Sequence, residues 1–397
     1  MKVPTKTLET ACPVCESERT HPFFQLEKMP AQDGVVYASE KAALNAPLGD
    51  INLAACSRCG FVGNLTHNSN LIKFTEYTYS KYHSQKYRSH VEKTVRILTD
   101  KYSIKSKNVV DVGCGEGYFL NELCKAGDNY GIGIDPSLPK TEKFPIIHPR
   151  LKLIKTYYSD EHAKYASDLI CCRHVIDELP SPKEITQLMA RNLGEAEDGL
   201  IYIEVPNALH TFSKKLIWNI GYAKRSWFTP TSLEALLEIC GLQILLTKTL
   251  FGDEYLGVVA RRSYARGSLS TDIQESMPSF LRILDEFSEH LNREIIRWNK
   301  KIENLRLNGE QMVIWGAGMR GINFLHLFGD KKIFPKIVDI SVDRQGSYLP
   351  GSGYFVNAPE DLQSFKPSRI LITNSNYKEE IVNHIKDLSL TSKIEYL

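Results

Sequence analysis

Residues Val109 to Gly117 read Val-Val-Asp-Val-Gly-Cys-Gly-Glu-Gly, and Tyr118-Phe119-Leu120 follows with the pattern of a helix start. A strand that breaks into glycines at a helix N-terminus presents bare backbone N–H groups to a ligand. Gly113, Gly115 and Gly117 alternate as G-x-G-x-G, with Asp111 just ahead of the turn. Further on, Tyr130-Gly131-Ile132-Gly133-Ile134-Asp135 forms a second strand ending in an acid. In an open α/β sheet such an acid can bind two ribose hydroxyls. Together these residues predict a site for a nucleoside-containing cofactor; the plainer reading is a structural turn.

Cys12-x-x-Cys15 and Cys56-x-x-Cys59 are the second group. Each pair can set two thiolates on one knuckle, and two knuckles make a closed tetrahedral zinc site with no open position for chemistry. Pro13 and Gly60 suit the tight turns. Two disulfides or a redox pair are the competing readings.

A third group lies near the C-terminus. Met312-Val313-Ile314-Trp315 leads into Gly316-Ala317-Gly318-Met319-Arg320-Gly321, a G-x-G-x-x-G sequence, and Ile337-Val338-Asp339 supplies an acid about 20 residues on. This turn suits NAD, the nucleotide part of a substrate, or a fold retained without ligand.

The elements that must position these groups divide the 397 residues into three parts. Residues 1–70 form the cysteine module. Residues 71–262 carry a Tyr- and His-rich stretch, a helix from about Gln85 to Tyr102, and alternating strands and helices. Runs such as Leu169–Cys172, Leu200–Val205 and Leu256–Ala260 suit parallel strands covered on both faces. Residues 263–397 carry a linker, one long amphipathic helix from about Met277 to Leu305, and a second Rossmann-like unit. The fold class is α/β. With 42% apolar and 24% charged residues and a net charge of +2, nothing suggests nucleic-acid or membrane binding. No run approaches the roughly 20 apolar residues of a membrane span, the first residues lack an apolar leader, and a cytoplasmic location is expected.

The spacing of Asp111, the glycine turn and Asp135 resembles the S-adenosyl-L-methionine (SAM) site of class I methyltransferases. The order of the three parts resembles, over essentially the whole chain, the nucleotide-sugar C-methyltransferases that act on dTDP-4-keto-deoxysugars. Cys56-Ser-Arg-Cys-Gly-Phe-Val, Asp111-Val-Gly-Cys-Gly-Glu-Gly, Glu204-Val-Pro-Asn and Trp315-Gly-Ala-Gly carry the resemblance. It implies a SAM-binding middle domain, with N- and C-terminal parts holding a nucleotide-diphosphate sugar.

Such a reaction removes a proton beside a ketone, so it needs a base, a donor for the enolate oxygen and a held substrate. In the family a Tyr-x-Glu-His-containing segment supplies the base. The matching segment here is Tyr222-Ala223-Lys224-Arg225, so Ala223-Lys224 replaces the Glu-His pair. Glu178 stands where the family often has histidine. Catalytic candidates are therefore His174, Lys224, Tyr222, Glu178 and Tyr77. His174 is also a cofactor candidate with Asp111, Gly113, Gly115, Gly117 and Asp135, or else a packed strand-end residue. Lys224 is a base, an electrophile, or a solvated member of a basic run. Substrate candidates are Tyr79, Tyr82 and His83 in an aromatic lid, Glu204 and Asn207 at a strand end, and Gly316, Gly318 and Asp339. The expected function is SAM-dependent methylation of a nucleotide-linked ketosugar at carbon. The alternatives are O- or N-methylation of another small polar substrate, a SAM-binding scaffold without transfer, and an NAD-linked enzyme.

Overall fold

The computed structural model describes residues 11–18, 20–77, 81–138, 148–193, 198–263 and 272–397. Three sheets organise them. In the first, β1 (Thr20–Pro30), β2 (Leu48–Cys56) and β3 (Val62–Asn64) run antiparallel, β2 in the middle. The middle sheet begins with β4 (Asn108–Val112), β5 (Tyr130–Ile134), β6 (Leu151–Ile154), β7 (Leu169–Arg173) and β8 (Leu200–Pro206). The chain then returns to the first sheet, where β9 (Ser226–Trp227) pairs with β3. An antiparallel hairpin, β10 (Leu242–Leu250) and β11 (Tyr255–Arg262), completes the middle sheet.

The middle order is β10-β11-β8-β7-β4-β5-β6. The strands from β4 to β8 are parallel, and β11 runs antiparallel to β8. β4 therefore has β5 on one side and β7 on the other. That change of direction opens a crevice at the C-terminal strand ends, where ligands of open α/β sheets bind. These strands are apolar on both faces because helices cover both, so they read as runs rather than alternations.

A third sheet repeats the plan. β12 (Val313–Trp315), β13 (Ile337–Val338), β14 (Val356–Asn357), β15 (Arg369–Ile372) and β16 (Lys393–Tyr396) are all parallel, in the order β14-β13-β12-β15-β16. Its switch point is β12, directly ahead of the G-x-G-x-x-G turn.

The long helix extends over Asp272–Leu307, a little beyond its expected limits. The helix at Gln85–Arg96 is shorter than expected, because Ile97–Lys101 winds into a π-turn. One hydrophobic core joins the parts: Phe24 and Phe212 both pack on Phe287 of the long helix (5.4 and 5.1 Å between ring centres), and Trp298 packs on Phe324 at 4.6 Å. The cysteine module, residues 208–227 and the C-terminal unit are thus buried against one another. No described helix is long and apolar enough to cross a membrane.

Candidate active site

Both glycine turns open into one cavity of about 1130 Å³. At the middle sheet, Gly113 has φ +69°, and a Cβ there would lie 2.2 Å from Val175 Cγ2, so only glycine fits. A Cβ at Gly115 would meet nothing within 4 Å, which leaves room for a ligand against the backbone. Gly117 lies outside the cavity lining and caps the helix Tyr118–Gly127. Asp135 ties the turn together: Gly115 N donates to Oδ2 at 2.8 Å, and Ser137 N to Oδ1 at 2.7 Å. Asp111 is buried, and its Oδ1 has no hydrogen-bond partner. Burial first, opposed by Arg173 and reinforced by Asp135 and Glu204, pushes its carboxyl up to about 7. A buried carboxylate oxygen without a partner is costly, so the pocket suits a ligand that brings a cation or a donor.

Behind this turn lies a buried ion network. Glu204 Oε1 meets Arg173 at 2.9 Å and His90 at 3.1 Å, and Tyr202 donates to Oε2 at 2.7 Å. Burial opposes the charge on Glu204, but Arg173 and the histidine contacts prevail and hold it well below the usual carboxylate range. Glu204 therefore positions neighbours and lies outside the cavity lining, rather than touching substrate as expected.

His174 does line the cavity, with left-handed φ of 56°, uncommon for a non-glycine residue. Its Nε2 lies 3.0 Å from Glu204 Oε1, but the alignment is not that of a hydrogen bond. Burial, with Lys81 nearby, lowers its pKa to about 3, so the ring is neutral and a weak base.

The strongest acid–base geometry lies one turn further along. Lys224 Nζ pairs with Asp177 Oδ2 at 2.6 Å. Burial opposes the lysine charge, yet Asp177 and Glu178 outweigh it and raise its pKa. Lys224 is thus held as a cation, a state that can donate but not accept a proton. Glu178 lines the same cavity. Burial pushes it up to about 8, with Asp177 and Asp33 adding to the shift and Lys224 opposing it. Tyr77 lines the cavity too, its hydroxyl raised well above the usual phenol range by burial and by Glu178. It stays protonated and can donate.

Two candidates fall elsewhere. Tyr222 packs against Gly49, and its hydroxyl accepts from Asn68 N at 2.8 Å in the first sheet. Asn207 caps the short helix Ala208–Ser213 and donates to Asp253 O at 2.9 Å. Both are framework residues outside the cavity lining. Tyr79 lies outside the described residues. Tyr82 stacks on Tyr118 at 5.7 Å, His83 meets Asp343 at 3.4 Å, and Ser84 donates to Glu380 at 2.6 Å. The aromatic stretch is thereby pinned to the C-terminal unit over the cavity. Asp33, Lys81, Arg320 and Arg344 also line it. Arg320 comes from the second glycine turn and Lys81 from the aromatic stretch, whereas no local motif marks Asp33 or Arg344.

A family model described as a methyltransferase domain matches residues 82–247. The chain is a SAM-dependent methyltransferase. A second model, described as a C-methyltransferase C-terminal domain, matches residues 274–392 of the methyltransferase. C-methyltransferase NovU of Streptomyces niveus is 22% identical over 89% of this chain and 87% of its own. A tRNA U34 carboxymethyltransferase of Helicobacter acinonychis is 30% identical over 36% of this chain and 58% of its own. A solved SAM-dependent methyltransferase of Mesorhizobium loti covers 43% of this chain and 96% of its own, at 14% identity and a TM-score of 0.33.

In this methyltransferase, Asp135→Ala is expected to weaken SAM binding by more than about tenfold, because a charged hydrogen bond is worth about 1.5–3 kcal/mol. Calorimetric titration checks this; unchanged affinity would remove Asp135 from the cofactor site.

Proposed function

We propose that the enzyme methylates a carbon of a nucleotide-linked ketosugar. The observation that carries this reading is the single cavity reached by both glycine turns, with Glu178, Lys224 and Tyr77 lining it. A substrate with a nucleotide at one end and a reacting ring at the other fits such a space, and the full-length similarity to a C-methyltransferase supports the carbon target.

SAM, when bound, supplies an electrophilic methyl group. Asp111, the N–H groups of the turn and Asp135 would hold it. Glu178, once ionised, takes the proton next to the ketone; a carboxyl with a pKa near 8 is a far stronger base than an ordinary glutamate and still ionises near neutral pH. The Lys224 ammonium and the Tyr77 hydroxyl then face the oxygen on which charge develops, in a site where such donors act strongly. His174 stays neutral and shapes the wall near the methyl donor. Mass spectrometry of nucleotide ketosugars incubated with methyl-labelled SAM tests the proposal. A labelled product with a new carbon–carbon bond is expected; label on oxygen or nitrogen alone would overturn the carbon target.

We also propose that the four cysteines hold a structural zinc ion. Cys12–Cys59 and Cys15–Cys56 sulfurs lie 3.7 and 3.6 Å apart, and all four fall within 4.8 Å of one another. A tetrahedron with Zn–S bonds of about 2.3 Å has edges of about 3.8 Å. Disulfide bonds of about 2.05 Å do not match these separations. The cysteines share a buried cluster with Phe61, Phe228 and Met277, and none of the four lines the cavity. Cys56→Ser is expected to lower the melting temperature and the zinc content together, before any change in SAM affinity. Well-folded wild-type protein free of zinc by elemental analysis would refute the assignment.

A further inference from the structure

Gly34 stands in the loop after β1, and its backbone does not call for glycine, because its φ is not in the left-handed region. The reason for glycine is a ring. A Cβ at residue 34 would lie 2.9 Å from Tyr77 Cδ2 and 3.0 Å from both Cε2 and Cγ. Ordinary carbon contacts are about 3.5–4.0 Å. The Tyr77 ring therefore rests directly on the bare backbone of Gly34, with the Phe74 ring 5.3 Å away. Tyr77 lines the cavity, and its hydroxyl is buried without a hydrogen-bond partner among the described residues. An orphan of this kind is costly inside a protein and suits a donor held for a ligand.

The loop that carries Gly34 is itself fixed. Ala31 N donates to Pro47 O at 2.9 Å, Tyr37 N donates to Tyr348 O at 3.0 Å, and Tyr348 N donates to Tyr37 O at 2.8 Å. Between these anchors Arg344, only 4% exposed, spreads its guanidinium across two backbone carbonyls. Nη2 donates to Asp33 O at 2.9 Å and Nη1 to Ala317 O at 3.0 Å. One side chain thus joins the residue before Gly34 to the glycine turn of the C-terminal unit. A planar fork spans two acceptors at once, whereas a lysine ammonium is a point charge on a flexible stem and does not hold that geometry.

We propose that Gly34 and Arg344 are positioning residues for Tyr77. Arg344 locks the loop, Gly34 seats the ring, and the hydroxyl is thereby fixed to meet the oxygen on which charge develops. This rests on the carbon methylation proposed above and deepens it. A methyl group at residue 34 has to push the ring away by about 0.5–1 Å to restore ordinary contact. A misplacement of about 1 Å is enough to cost up to about a hundredfold in rate.

The test is a double-mutant cycle on the full-length protein, with dTDP-4-keto-deoxysugars and methyl-labelled SAM as probes. Tyr77→Phe keeps the ring, removes the donor and sets the loss that misplacement can reach. Gly34→Ala is expected to lower kcat by roughly ten- to a hundredfold, with KM for the sugar and SAM affinity within about twofold of wild type. Added to Tyr77→Phe it should cost nothing further, because no hydroxyl remains to misplace. Arg344→Lys should likewise lower kcat when Tyr77 is present and not when it is phenylalanine. Losses that add in full, or wild-type rates in Gly34→Ala and Arg344→Lys while Tyr77→Phe is slow, would overturn the positioning. A wild-type rate in Tyr77→Phe would overturn the donor role, and no turnover of these probes by the wild type would overturn the ketosugar reading. Fluorine NMR of 3-fluorotyrosine placed at position 77 then decides the positioning without turnover. Its resonance should move in both Gly34→Ala and Arg344→Lys, and an unmoved resonance in either would overturn the role of that residue.

Discussion

Glu178→Gln is expected to cut methyl transfer by about 10²–10⁴-fold, the usual scale for a lost general base, with SAM affinity nearly unchanged. Glutamine keeps the shape of the side chain but takes up no proton. The carboxyl lies on the cavity wall among Asp177, Asp33 and Lys224, and it makes no hydrogen bond to the turn or to Asp135 among the described residues. Burial raises its pKa to about 8, so the base is mostly protonated at neutral pH. The wild-type rate should therefore rise as pH climbs toward about 8 and level off above it. In the variant that rise should vanish from the residual rate. Wild-type turnover in Glu178→Gln, with the rise intact, would move the base to another group.

The second large effect concerns folding. Glu204→Gln is expected to destabilise the protein by about 3–5 kcal/mol, the usual cost of removing one partner from a buried ion pair. Arg173, with its side chain 8% exposed, would keep its charge without the carboxylate that offsets it. His90, only 5% exposed, would face an amide instead of a carboxylate. A fall in melting temperature on the order of 10 °C should follow in thermal unfolding. A melting temperature equal to wild type would mean that the network contributes little to the fold.

The sequence makes some of this legible because the signals are local. Each glycine turn, its helix and its acid lie within about 30 residues, the length of one βαβ unit. The cysteine pairs are readable because two residues of spacing suffice to make a knuckle. Other features depend on side-chain partners that no periodicity reports, several of them distant in the chain. β9 leaves the middle of the chain to extend the first sheet. That excursion draws Tyr222 out of the cavity, although its neighbour Lys224 remains on the wall. Asn207 sits at a strand end as its position suggests, yet its side chain is consumed as a helix cap. Lys224 looked ambiguous in a basic run, and only the 2.6 Å contact to Asp177 settles its charge. The aromatic stretch was visible by composition, but its anchoring through Ser84 to Glu380 was not.

The central claim is that Glu178 removes a proton from a sugar carbon held between the two glycine turns. Deuterium exchange tests it without methyl transfer. A nucleotide ketosugar is incubated in D₂O with the enzyme and S-adenosylhomocysteine, and the hydrogen beside the ketone is followed by NMR. Rapid exchange with wild-type enzyme, reduced to the uncatalysed rate in Glu178→Gln, is the predicted result. Exchange of equal rate in both proteins, or none in wild type with bound ketosugar, would contradict it.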